Sequence, residues 1–121
     1  MTKKANHKQY DLEDRTEQFA KNVRVFVKKL KWSIANKEDG KQVIRSSGSV
    51  GANYIEANEA LSKRDFKMRI KICRKEAKES RYWLKLIDTE SEPQLDRERA
   101  ALTQESTELM NIFGTILQKS K

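Results

Sequence analysis

The spacing of apolar and small residues constrains this chain more than any other feature. Four times over, such residues recur at alternating steps of four and three, the interval that sets one face of an α-helix against a neighbour. The first seam is Leu12, Thr16, Phe19, Val23, Phe26 and Leu30, and the second Val43, Ser47, Val50, Tyr54, Ala57 and Leu61. The third and most regular is Phe66, Ile70, Cys73, Ala77, Ser80, Leu84 and Ile87. Leu95 and, a full heptad on, Leu102, followed by Ser106, Leu109, Phe113 and Ile116 at the same steps, make the fourth. Four glycines and one proline are too few for the tight turns of an all-β protein. A chain of 121 residues fills one domain, and halving it would leave neither part a useful core. The expectation is an all-α, up-down-up-down four-helix bundle over residues 11–118, preceded by a basic tail at 1–10 containing Lys3, Lys4 and Lys8.

Punctuation places the helix ends. The first helix reads from about Asp11 to Lys31, with Asp11, Glu13, Asp14 and Glu17 early and Lys28, Lys29 and Lys31 late, as the helix dipole favours. The polar stretch ANKEDGK around Gly40 reads as a loop, so the second helix is expected from Lys41 to Leu61. Ser62, with Asp65 three positions on, reads as the cap of a third helix over 63–88, and Pro93 suits the first turn of the fourth. Gly48 and Gly51 each cost the second helix about 1 kcal/mol relative to alanine. Close approach of another backbone is the expected compensation. The spacing of Gly48-Ser49-Val50-Gly51 also occurs in an RNA-binding loop, but that module needs a mixed α/β setting which this chain lacks.

Several functions are disfavoured. One cysteine, Cys73, leaves no internal disulfide and no multi-cysteine metal site, and its place on the third seam reads as a small buried residue. With His7 as the single histidine, no nucleophile–base pair or metal-ligand set is visible. No enzyme activity, metal or cofactor is therefore expected. The opening MTKKANHKQYDLEDR has no apolar run that would make a secretory signal, and no stretch approaches the roughly 20 apolar residues of a membrane span. A cytoplasmic location without membrane contact is the expectation.

The charge is unevenly placed. The chain carries a net +8, and residues 62–88 hold ten basic against four acidic residues. One position beyond the third seam stand Lys67, Lys71, Arg74, Lys78, Arg81 and Lys85, all basic, on a line of about 27 Å at a rise of 1.5 Å per residue. Like charges at this spacing repel. Two readings fit: a solvated flank that pairs with Glu98, Glu105 and Glu108 of the fourth helix, or a surface for a phosphate backbone. The second implies salt-sensitive, sequence-tolerant binding of nucleic acid, RNA before DNA.

The opposite flank of the third helix carries Arg69, Ile72, Glu76, Glu79, Trp83 and Leu86. Its carboxylates are expected to face Ser49, Asn53 or Arg45 as structural contacts. An alternative function is a protein-interaction scaffold in which Trp32, Met68, Tyr82 and Trp83 anchor a partner or another subunit.

The segment RSSGSVGANYIEANEALSKRDFKMRIKICRKEAKESRYWLKLI, positions 45–87, resembles the core of the 23S rRNA intervening-sequence protein family. The likeness rests on Arg45-Ser46, Ser49, Asn53 with Glu56, Ser62 with Asp65-Phe66, Glu76-Ala77 with Glu79, and Tyr82-Trp83-Leu84. Arg15-Thr16 and Phe19-Ala20 extend it to about residues 10–118. It implies a left-handed bundle of bacterial origin that assembles into a homo-oligomer, a pentamer. A distant relative, the accessory protein of diversity-generating retroelements, associates with a reverse transcriptase and nucleic acid. The resemblance implies no catalytic residues. In two places the chain departs from the pattern: Lys31-Trp32 stands where a proline often follows the first helix, and Ala57 where glycine is frequent.

Overall fold

A computed structural model describes residues 7–121, with side chains described from Leu12 onward. Lys3, Lys4 and the side chain of Lys8, the cations of the expected tail, lie outside the described residues. The described residues form four helices: α1 His7–Lys28, α2 Ile34–Asn58, α3 Lys63–Leu86 and α4 Pro93–Lys119. No strand occurs among the described residues, and no helix is long and apolar enough to cross a membrane.

The seams meet as their spacing requires. Phe19, Val23 and Phe26 of α1, Val43 and Val50 of α2, Ile70, Ala77 and Leu84 of α3, and Leu109 and Phe113 of α4 are all buried. Each fully buried large side chain contributes about 1.5–3 kcal/mol relative to exposure. The rings of Tyr54 and Phe113 meet at 6.0 Å between centroids. Each helix packs on two others: α1 on α2 and α4, and α3 on α2 and α4, with the α2–α3 contact the most extensive. Glu13 near the start of α1 accepts from Asn58 at the end of α2, and Lys29 after α1 reaches Glu98 early in α4.

Helix α1 begins at His7, four residues before the expected Asp11 and inside the span read as a tail, and two further boundaries differ from the sequence reading. The stretch ANKEDGK is helical, and the joint between α1 and α2 lies at residues 29–33 instead. Ser33 caps α2, its side-chain oxygen accepting from the Asn36 amide at 3.0 Å. Asn36 is buried: its amide donates to the carbonyls of Lys31 and Asp88, and its Oδ1 accepts from the Asp88 backbone N–H at 3.0 Å. Lys37, Glu38 and Lys41 are merely the exposed face of this first part of α2. Gly40 is buried in the helix, where an added Cβ would lie 3.1 Å from Val27 Cγ1. The second difference is Leu61, which continues the second seam in sequence. It falls after the end of α2 and stands 98% exposed.

The glycines of α2 divide in role. A Cβ on Gly51 would lie 2.9 Å from Thr16 Oγ1 and 3.3 Å from its Cβ, so close helix approach does require glycine there. At Gly48 the nearest neighbour is the end of the Arg24 side chain, at 3.5 Å, an ordinary contact. Both lie within α2, so the segment does not form a phosphate-gripping loop.

Candidate nucleic-acid interface

The candidate surface is built on α3. Ser62 opens the helix, its side-chain oxygen accepting from the Asp65 amide at 3.0 Å, and Asp65 favours the positive end of the dipole. Ile70, Cys73, Ala77, Ser80 and Leu84 bury one face and so fix the rotation of all the others. Cys73 is wholly enclosed, and burial pushes its thiol up to about 12, an inert state.

That rotation turns the middle of the row, Lys71, Arg74, Lys78 and Arg81, toward α4. Lys71, Arg74, Lys78 and Lys85 are exposed, while Lys67 and Arg81 are half-buried. Arg81 donates to the Thr107 hydroxyl at 3.1 Å, and Arg74 lies beside Gly114. Met110 and Leu117 complete a groove with Lys71, Arg74, Lys75 and Lys78. The α4 side of this groove is therefore uncharged. Among the described residues, none of the six cations forms an ion pair.

The carboxylates that were candidates to neutralise the row are held elsewhere. Arg15 of α1 donates to Glu105 at 2.7 Å and to Glu108 at 2.8 Å, and Lys29 pairs with Glu98 at 2.8 Å. Hydrogen bonds to these acids, Glu105 foremost, raise the Arg15 pKa further, while the hydrogen bond from Lys29 lowers that of Glu98. These three acids of α4 lie on its α1 side. Pairing of the α3 row with Glu98, Glu105 and Glu108 is thus replaced by a clasp between α1 and α4.

The acids of α3 itself are also drawn aside. Arg45 of α2 pairs with Glu79 and, at 3.4 Å, with Glu76. Of the three partners expected for this flank, Arg45 takes both carboxylates. Asn53 instead accepts from Arg69 at 2.9 Å. Burial, reinforced by neighbouring Glu79, raises the Glu76 pKa against the opposing pull of Arg45. Deeper in the same contact, the Ser46 and Ser80 hydroxyls meet at 2.8 Å. The indole N–H of Trp83 is buried nearby without a partner, and nothing in the structure explains it.

Sequence reasoning missed part of the surface. Arg64 and Lys75 are exposed on the side of α3 turned to solvent, next to Lys71 and Lys78, and add to the same positive strip. A strict heptad row skips them, although counting cations on the segment includes them. Among the described residues, no cluster of three or more His, Cys, Asp or Glu is placed to hold a metal ion.

Residues 8–113 match the family described as 23S rRNA-intervening sequence protein. A crystal structure from Bacteroides thetaiotaomicron, described as a protein of unknown function from the S23 ribosomal protein family, is 31% identical. The two superpose with a TM-score of 0.71 over 87% of this chain and 96% of that one. No curated protein matches.

Proposed function

Because the chain belongs to the 23S rRNA-intervening sequence protein family, we propose that it is a non-enzymatic, homo-oligomeric bundle binding nucleic-acid backbone through the cation row of α3. RNA is the preferred partner, contacted without sequence selection, in a bacterial cytoplasm. A left-handed, up-down-up-down course and a pentameric assembly belong to the same reading. The α1–α4 and α1–α2 end contacts support the course of the chain. In a ring the rows would repeat and convert a weak contact into avidity.

One observation carries the reading. Lys71, Arg74 and Lys78 line a groove without carboxylates, Lys67, Arg81 and Lys85 extend the row, and Glu76, Glu79, Glu98, Glu105 and Glu108 are held by Arg45, Lys29 and Arg15. A row arranged for stability would alternate in sign. Phosphate contacts release counterions, so affinity depends steeply on salt. With about five phosphates engaged, the affinity for labelled structured RNA should fall about 100- to 500-fold between roughly 50 and 200 mM salt. Fluorescence anisotropy at the two concentrations measures it, and a salt-insensitive affinity, or no binding at low salt, would sink the proposal. The scaffold reading keeps one supporting observation: Trp32 and Leu61 stand 72% and 98% exposed. Copurification of a stoichiometric protein without nucleic acid would favour it.

A further inference from the structure

The exposed strip of α3 is not purely cationic. Lys71, Lys75, Lys78, Tyr82 and Lys85 follow one another at helical spacing on one face, so an aromatic ring interrupts the cations. Tyr82 is 56% exposed, and its ring packs edge-on against Trp83 at 5.1 Å and 68°, which limits its motion while leaving ring surface open. Lys78 lies one turn before it and Lys85 one turn after. Glu79, the carboxylate that would repel a phosphate here, is held by Arg45 on the α2 side.

A phosphate backbone alone needs no such ring. Proteins that bind single strands combine a positive track with aromatic platforms on which bases stack, because every base offers a π-face. A continuous duplex keeps its bases stacked on one another and offers such a platform none. We propose that Tyr82 is a stacking platform for an unpaired base, with Lys78 and Lys85 taking the flanking phosphates. The ligand class is then single-stranded or looped nucleic acid. This rests on the nucleic-acid reading above and narrows it.

Trp32 supplies the control, since this more exposed aromatic lies in the groove between α1 and α2 with Val27, Leu30 and Ile44, away from the row. The test measures binding of an unstructured RNA and a long blunt RNA duplex to wild type, Tyr82→Ala, Tyr82→Phe and Trp32→Ala at one low salt concentration. Removing one base-stacking ring costs about tenfold in affinity. Tyr82→Ala should therefore lose about that factor for the single strand and keep its duplex affinity. Tyr82→Phe, which retains the ring, and Trp32→Ala should match wild type on both. Equal losses of Tyr82→Ala on both RNAs, no loss on either, or a loss in Trp32→Ala instead would overturn the inference while leaving backbone binding intact. Failure of wild type to bind either RNA would remove the underlying reading and the inference with it.

Discussion

The two flanks of α3 belong to one helix yet treat charge in opposite ways. Toward α2, charged and polar groups find partners: Arg45 holds Glu76 and Glu79, Arg69 meets Asn53, and Ser46 meets Ser80. On the flank that borders α4, six cations stand in line with Thr107 the one side-chain hydrogen-bond partner among the described residues. The acids that composition alone would assign to them are taken by Arg15 of α1 and by Lys29 just after it. Partner choice, and not a shortage of carboxylates, keeps the row positive. One flank pairs its charges within the fold, and the other sets like charges side by side.

The most forceful way to break this contrast is to reverse the row. Replacing Lys71, Arg74 and Lys78 together by Glu should lower RNA affinity at least about 100-fold, since three phosphate contacts become repulsive. These side chains are exposed and unpaired, so circular dichroism and the melting temperature should stay close to wild type. Binding retained in a folded variant would return the row to plain solvation.

The α2 flank should respond in the other quantity. Arg45→Ala leaves Glu76 and Glu79 adjacent and without their cation, and we expect about 1 kcal/mol of lost stability, a modest figure because Arg45 is half exposed. RNA binding should change little. The loss has a definite pH dependence. Glu76 has a folded pKa above its unfolded one, chiefly through burial, so its stability contribution is complete below the ordinary carboxylate value and is lost as pH rises through the folded pKa. Arg45 opposes that upward shift, so removing it should enlarge the loss. The deficit of the variant should therefore be small in acid and grow toward neutral pH in paired thermal melts. A deficit independent of pH would separate Arg45 from the two carboxylates.

Much of the helical framework was legible because burial repeats with the helical period. Leu12, Thr16, Phe19, Val23 and Phe26 stand at the seam spacing and are buried, as are Ile70, Cys73, Ala77, Ser80 and Leu84. The start of α2 was illegible for a local reason. Lys37, Glu38 and Asp39 before Gly40 look like a polar loop, and the facts that overrule this are long-range: Asn36 bonded to Asp88, and Gly40 packed on Val27. Leu61 misled in the opposite sense, since periodicity cannot say that a helix has already ended. At the candidate site the cations were readable in one dimension. Their lack of partners was not, because it depends on Glu105 and Glu108 choosing Arg15 from a distant part of the chain.

The smallest expected effect is the sharpest test of why the row exists. Lys71 has Lys67, Arg74 and Lys75 at its helical neighbour positions, with Met68 as the fourth and no acid among them. Each like-charge neighbour costs a few tenths of a kcal/mol. Glutamine has nearly the helix propensity of lysine, so Lys71→Gln removes the repulsion and little else. It should raise the melting temperature slightly at low salt, a gain of several tenths of a kcal/mol. Lys21→Gln is the matched control, because Lys21 pairs with Glu17 at 3.1 Å and its loss should stabilise nothing. The gain should fade toward about 1 M salt, where charges are screened beyond about 3 Å. A destabilised Lys71→Gln at low salt would mean that the cations support the helix, and the row would then need no ligand to account for it.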